Sequence, residues 1–368
     1  MFKQTNLKLY FYLSDFKKFY NVISGKIIPY FSTFHVENII VMLVCVMVLV
    51  ACERNSQTWE QMDIAKKLMN EKPDSSLVIL ENIPTSDIKG KETSARYALL
   101  KSMALDKNYI DTTTFDILQP AIDYYIQNGT PDEKLTTYYY QGRIYQNQGD
   151  DDSAMQSFMN GCDLKQSVTD SLLLAHTLVA QGTLYLKQYK TTEYIHNNMA
   201  AAKLYGAVGK NLLEIKSYTN AIDGYIMLNN KIAADSLLSI CIPLAQKNPD
   251  GEEYMFSSLL SYTIEFGSPH DIKAFLGEHQ DIDLTKDEIM DFAQGYSKIG
   301  EYDKAIKCLA EISPDASTLD SLKYSSVKID ILEKQGKSKE ALSLYKDYSV
   351  MLERYQKRLF SQDLLFAD

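Results

Sequence analysis

Tryptophan is nearly missing from this 368-residue chain: Trp59 stands alone beside 26 tyrosines, which leaves few platforms on which a sugar ring could stack. Prolines number nine and gather at turn-like stretches, and β-branched residues never alternate for more than a few positions. Together these exclude a sheet and predict an all-α chain. Histidine is scarce too. His176, His196, His270 and His279 have no other histidine three or four residues away, so no metal-ligand spacing is present. Cys162, Cys241 and Cys308 lie far apart without paired spacing, which reads as core packing and not as a redox or metal site. No Gly-rich dinucleotide loop follows a strand, Gly90-Lys91-Glu92-Thr93 lacks the upstream glycine of a phosphate loop, and no nucleophile elbow appears. The expectation is a protein without catalytic residues, cofactor or metal.

What is there begins with Tyr138 to Gly161. Tyr138, Gly142, Tyr145, Ala154, Phe158 and Gly161 sit at the spacings of one antiparallel helix pair, with Gly149-Asp150 as its turn. Small residues let two helices cross closely, and the pattern predicts Gly142 facing Ala154 while the large side chains fill the holes around them. Thr130-Pro131-Asp132-Glu133 supplies a capping residue, a proline at the first helical position and a glutamate to close a capping box. The segment resembles the tetratricopeptide repeat family, with tyrosine at position 138 where that family usually has tryptophan.

One such pair cannot bury its own apolar faces, so similar units must flank it. Thr285 to Pro314 repeats the pattern through Ala293, Tyr296, Gly300, Ala305 and Leu309 after a second capping box, Thr285-Lys286-Asp287-Glu288. Leu322 to Tyr348 follows, with Ile329, Leu332, Gly336, Ala341 and Tyr345 in the packing slots. Weaker copies run through Gly182 and Tyr185, through Ile222, Tyr225 and Ala234, and through Leu260, Ile272 and Leu276. Turns are predicted near Gly149, Tyr189, Asn229, Gly267, Gly300 and Gly336, and two further pairs upstream, over Trp59–Ile83 and Ala95–Gln127. The whole reads as a right-handed superhelix of about eight tetratricopeptide-like pairs.

The 13 residues Ile39 to Ala51 carry no charge, too few to cross a bilayer of about 30 Å but suited to the apolar core of a signal peptide. They end in Leu49-Val50-Ala51-Cys52, which looks like a bacterial lipobox, with Cys52 as the acylated residue and first residue of the mature protein. Removing Lys3, Lys8, Lys17, Lys18, Lys26, Asp15 and Glu37 turns 38 basic and 48 acidic side chains into 33 and 46, a net of −13. So acidic a chain disfavours nucleic acid and anionic lipid, leaving the acyl chains as the membrane contact. The predicted organisation is a signal region over 1–51, a tether over 52–57, N-terminal helix pairs over 58–130, repeats over 131–360 and a tail over 361–368.

First-helix positions not spent on packing line the concave face of such a superhelix. Here they include Tyr139, Arg143 and Asn147, then His176, Thr183 and Lys187, then Thr219 and Asp223. The six taken as a groove for a partner peptide or helix are Tyr139, Arg143, Asn147, Thr183, Lys187 and Asp223.

The run Asn70 to Leu80, Ala95 to Leu100, Lys107 to Ile110 and Tyr138 to Tyr145 is similar to tetratricopeptide lipoproteins of gut Bacteroidales. That resemblance implies the bacterial cell envelope, with the outer membrane as the expected address and palmitate among the acyl chains. Some relatives of that kind continue into a membrane helix and a helix-turn-helix output domain, which is not carried over here. The favoured expectation is a lipid-anchored scaffold for a protein partner. The alternatives are the sensory half of an envelope signalling system with a separate output protein, and a glycan-capture lipoprotein.

Overall fold

A computed structural model describes residues 57–279, 282–312 and 318–365, and within them sixteen α-helices and no strand. Cys52, the signal region 1–51 and the end of the tail lie outside the described residues. The helices are α1 (57–68), α2 (Pro73–Glu81), α3 (Lys91–Lys107), α4 (Gln119–Asn128), α5 (Pro131–Gln148), α6 (Asp151–Cys162), α7 (Ser171–Lys187) and α8 (Thr191–Ala207). Then come α9 (Asn211–Met227), α10 (Lys231–Ala245), α11 (Gly251–Phe266), α12 (Pro269–Glu278), α13 (Lys286–Lys298), α14 (Tyr302–Ala310), α15 (Thr318–Lys334) and α16 (Ser338–Leu365). They form eight successive pairs, each packed on the next, as the repeat period requires.

The helix starts follow from local chemistry. Thr130 accepts from the Glu133 amide while the Glu133 carboxylate accepts from the Thr130 amide at 2.8 Å, so two otherwise orphaned donors are satisfied. Thr285 and Glu288 do the same at the head of α13. A third box, Ser268 with Asp271, opens α12 and was not foreseen, because aspartate stands where glutamate is the usual partner.

The turns obey one rule. Within a pair the chain leaves the first helix through a single left-handed residue: Tyr109, Gly149, Tyr189, Asn229, Gly300 and Gly336 hold φ between 51° and 79°. At Gly267 the backbone is instead extended, with ψ 157°, and leads straight into the Ser268 box.

Packing runs as a chain of clusters, each shared by neighbouring pairs. One joins Ile195, Ile215, Ile222 and Cys241, another Leu260, Ile272, Phe292, Ala305 and Ile331. Gly142 does approach α6 closely, and what lies nearest to it is the ring of Phe158, one turn on from Ala154: a Cβ at 142 would meet that ring at 2.5 Å. The larger side chain takes the gap because Phe158 is itself fully buried there. Tyr345 departs from its expected packing slot and is 53 % exposed, since no described helix follows α16 to cover it.

Candidate functional site

First helices pack on one another in two runs, α3 on α5 and α5 on α7, then α9 on α11, α11 on α13 and α13 on α15, with the second helix α8 joining α7 to α9; the other second helices pack mainly on first helices. The side of a solenoid whose elements crowd together is its inner, concave side, so the first helices form the concave wall.

Polar joints hold that wall. Ser257 on α11 donates to Glu288 on α13 at 2.5 Å, Ser261 to Asp291 at 2.9 Å, and Ser297 on α13 to Asp330 on α15 at 2.9 Å. Lys323 on α15 reaches back to Asp291 at 3.0 Å, and Lys298 on α13 to Glu265 on α11 at 2.9 Å. The serine–carboxylate joints satisfy groups that the close approach of two helices partly removes from water, the more exposed Lys298–Glu265 pair adds little by itself, and together they fix one helix's register on the next.

The six predicted groove residues fall into three places. Tyr139, Arg143 and Asn147 come together, but they brace α5 against the pair before it. Arg143 Nε donates to Asp106 Oδ1 at 3.2 Å, and Asn147 Nδ2 to the Thr112 carbonyl at 3.1 Å. Tyr139 sits edge-on to Tyr140, 5.0 Å between ring centroids, and burial followed by the charge of Asp106 pushes its hydroxyl up to about 12. The cleft among Ser102, Thr112, Tyr140, Arg143 and Asn147 holds about 10 Å³, room for one water at most. Thr183 and Lys187 are exposed on α7. Thr183 donates to the Val179 carbonyl at 3.1 Å, and Lys187 pairs with Asp151 at 2.8 Å.

Asp223 stands apart from both. It lies on α9 with its Oδ1 shut off from solvent and bonded to nothing, while Ser258 on α11 reaches the carboxyl and Asp291 faces it from α13. Burial is the main reason its pKa rises to about 6, the Ser258 bond opposes the rise, and Asp291 adds to it. Tyr194 on α8 is near enough to feel the same carboxyl, its own hydroxyl raised by burial and then by Asp223.

His176 and Thr219 from the same row are committed to the protein. His176 Nδ1 lies 2.8 Å from the Tyr205 hydroxyl, with its pKa lowered by burial and by Lys107, and buried Thr219 donates to the Lys216 carbonyl at 2.8 Å. Cys162, Cys241 and Cys308 are free thiols, each raised by burial, the first two to about 12, which makes them poor nucleophiles. Among the described residues no three His, Cys, Asp or Glu side chains gather as a metal would need, and no helix is long and apolar enough to cross a membrane.

Sequence reasoning missed Ser258, Ser261, Asp291 and Lys323. The signal was faint: Ser261 with Asp291 and Ser297 with Asp330 recur at one repeat length, but a serine and an acid 30 residues apart invite no attention alone.

No protein-family model matches the sequence, and no curated protein does. Solved structures do. A Rap protein complexed with competence and sporulation factor superposes with a TM-score of 0.50 at 13 % identity, over 85 % of this chain and 99 % of that one. The apo form of RapI gives 0.53 at 10 % identity with the same coverage. At such identities the likeness is one of fold, a tetratricopeptide-like helical repeat.

Proposed function

We propose that this chain is a non-enzymatic scaffold whose concave wall receives a peptide or helix of a partner protein, and that acyl chains on Cys52 hold it at the bacterial envelope. The observation that carries the groove reading is the wall itself. From α9 to α15 its first helices are tied to one another by half-buried polar joints, which hold the surface in register before any ligand arrives. A prearranged surface binds without the ordering cost that a flexible one would add. The solved Rap protein, complexed with competence and sporulation factor, lends the same fold a bound factor.

The test is a crosslinked pull-down from membranes with three forms of the full chain: wild type, Cys52→Ala, and Thr183→Arg with Lys187→Glu. The last two positions are exposed, and because Lys187→Glu also breaks the Lys187–Asp151 pair, circular dichroism and thermal unfolding check that the double variant is folded. The reading predicts one protein recovered with wild type and lost with the double variant, and palmitate label lost with Cys52→Ala. Equal recovery from wild type and the double variant contradicts the groove, and palmitate retained on Cys52→Ala contradicts the anchor.

A further inference from the structure

The last helix does not stay within its own pair. At 28 residues, or about 42 Å, α16 exceeds the 17 residues of its partner α15. Its half-buried face runs through Leu344, Tyr348, Met351, Leu352 and Tyr355. Tyr355 meets Tyr189, the turn residue of the fourth pair: the ring centroids are 5.8 Å apart and the planes cross at 81°. The two side chains are also hydrogen-bonded, and Tyr348 lies near enough to act on the Tyr189 hydroxyl. The contact spans 166 residues of sequence and brings the eighth pair back onto the fourth.

Tyr189 occupies a left-handed position, φ 56°, where of the five other such turns three use glycine, one asparagine and one, at Tyr109, also tyrosine. A tyrosine there is strained, and the strain persists because the rest of the structure holds it. At this turn the ring is 55 % exposed and touches a distant helix, so what it gains comes from that contact and not from the core.

We propose that the end of α16 is a strap that closes the superhelix between its fourth and eighth pairs through Tyr189 and Tyr355, and that its release widens the concave groove. The purpose of the strap rests on the groove reading above, but the contact itself does not. An edge-on aromatic pair shifts a local opening equilibrium by about threefold to tenfold. That is weak enough to open reversibly and strong enough to favour the closed form. Opening the strap frees the last pair to swing away from the fourth, lengthening the superhelix without unfolding any helix.

The experiment uses the free protein and no partner, so its failure and a failure of groove binding are distinguishable. Amide hydrogen exchange over 348–357 is followed in wild type, Tyr189→Gly, Tyr355→Ala and, as a control on the exposed face, Val350→Ala. Glycine keeps the left-handed turn, so Tyr189→Gly removes the ring while preserving the fold. Exchange is expected to rise about threefold to tenfold in both tyrosine variants and to stay at the wild-type rate in the control. Small-angle scattering should show a larger radius of gyration for the same two variants. Wild-type exchange in Tyr189→Gly, or equal acceleration in Val350→Ala, overturns the strap. Faster exchange with an unchanged radius overturns its role in widening the groove.

Discussion

The ring of Phe158 lies on the bare Cα of Gly142, so close that a Cβ at 142 would meet ring carbons at 2.5 and 2.8 Å. Phe158 is fully buried and has nowhere to go. Gly142→Ala should therefore lower stability by about 1–3 kcal/mol although alanine is the better helix former. Urea denaturation checks it, and an alanine variant as stable as wild type would show that α6 yields freely.

Asp223 gives a pH dependence with a definite sign. Its carboxyl binds a proton more tightly folded than unfolded, about 6 against 3.8, so its contribution is most favourable below about pH 4 and is lost as pH rises through 6. Asp223→Asn, which keeps the shape and removes the charge, should stabilise the protein at pH 7.5 by about 2–3 kcal/mol and do little at pH 4. Denaturation curves at the two pH values decide it. Equal effects at both would mean that Asp223 is solvated.

Tyr109 is the control that nature supplies for Tyr189. It too is left-handed, φ 58°, yet it is 95 % exposed, so its ring packs against almost nothing among the described residues. Tyr109→Gly should then stabilise by about 1 kcal/mol through relief of backbone strain alone. Tyr189→Gly should gain less, since the ring contact with Tyr355 is lost along with the strain. Unfolding free energies of the two variants, compared pairwise, test the difference.

Ser268 closes a capping box that leaves α12, only ten residues long, dependent on its first turn. Ser268→Ala should cost about 1 kcal/mol, with faster amide exchange confined to 269–278. A uniform rise in exchange across α11 and α13 would instead mean that the cap supports the whole repeat.

What could be read from the residues was whatever is encoded locally. The Thr130 and Thr285 boxes, the glycine turns at 149, 300 and 336 and the eight-pair count all follow from signals within a few positions of one another. Tyr189 and Asn229 were located as turns by repeat spacing, although their identity says nothing of left-handed backbone. The concave wall was legible as a face but not as a set of contacts. Arg143 reads as a free groove cation until Asp106, 37 residues earlier, is brought beside it. Joints between helices depend on register and superhelical twist, which no local pattern records, and the Tyr189–Tyr355 contact is the extreme case.

The central claim is that the first-helix wall, and not the outer surface, receives the partner. A photocrosslinking amino acid placed in turn at Thr183 on exposed α7 and at Ile232, 82 % exposed on the second helix α10, tests it most directly. The account predicts a discrete crosslinked protein from position 183 and none from position 232 in cells. The same adduct from 232 with none from 183 would contradict it.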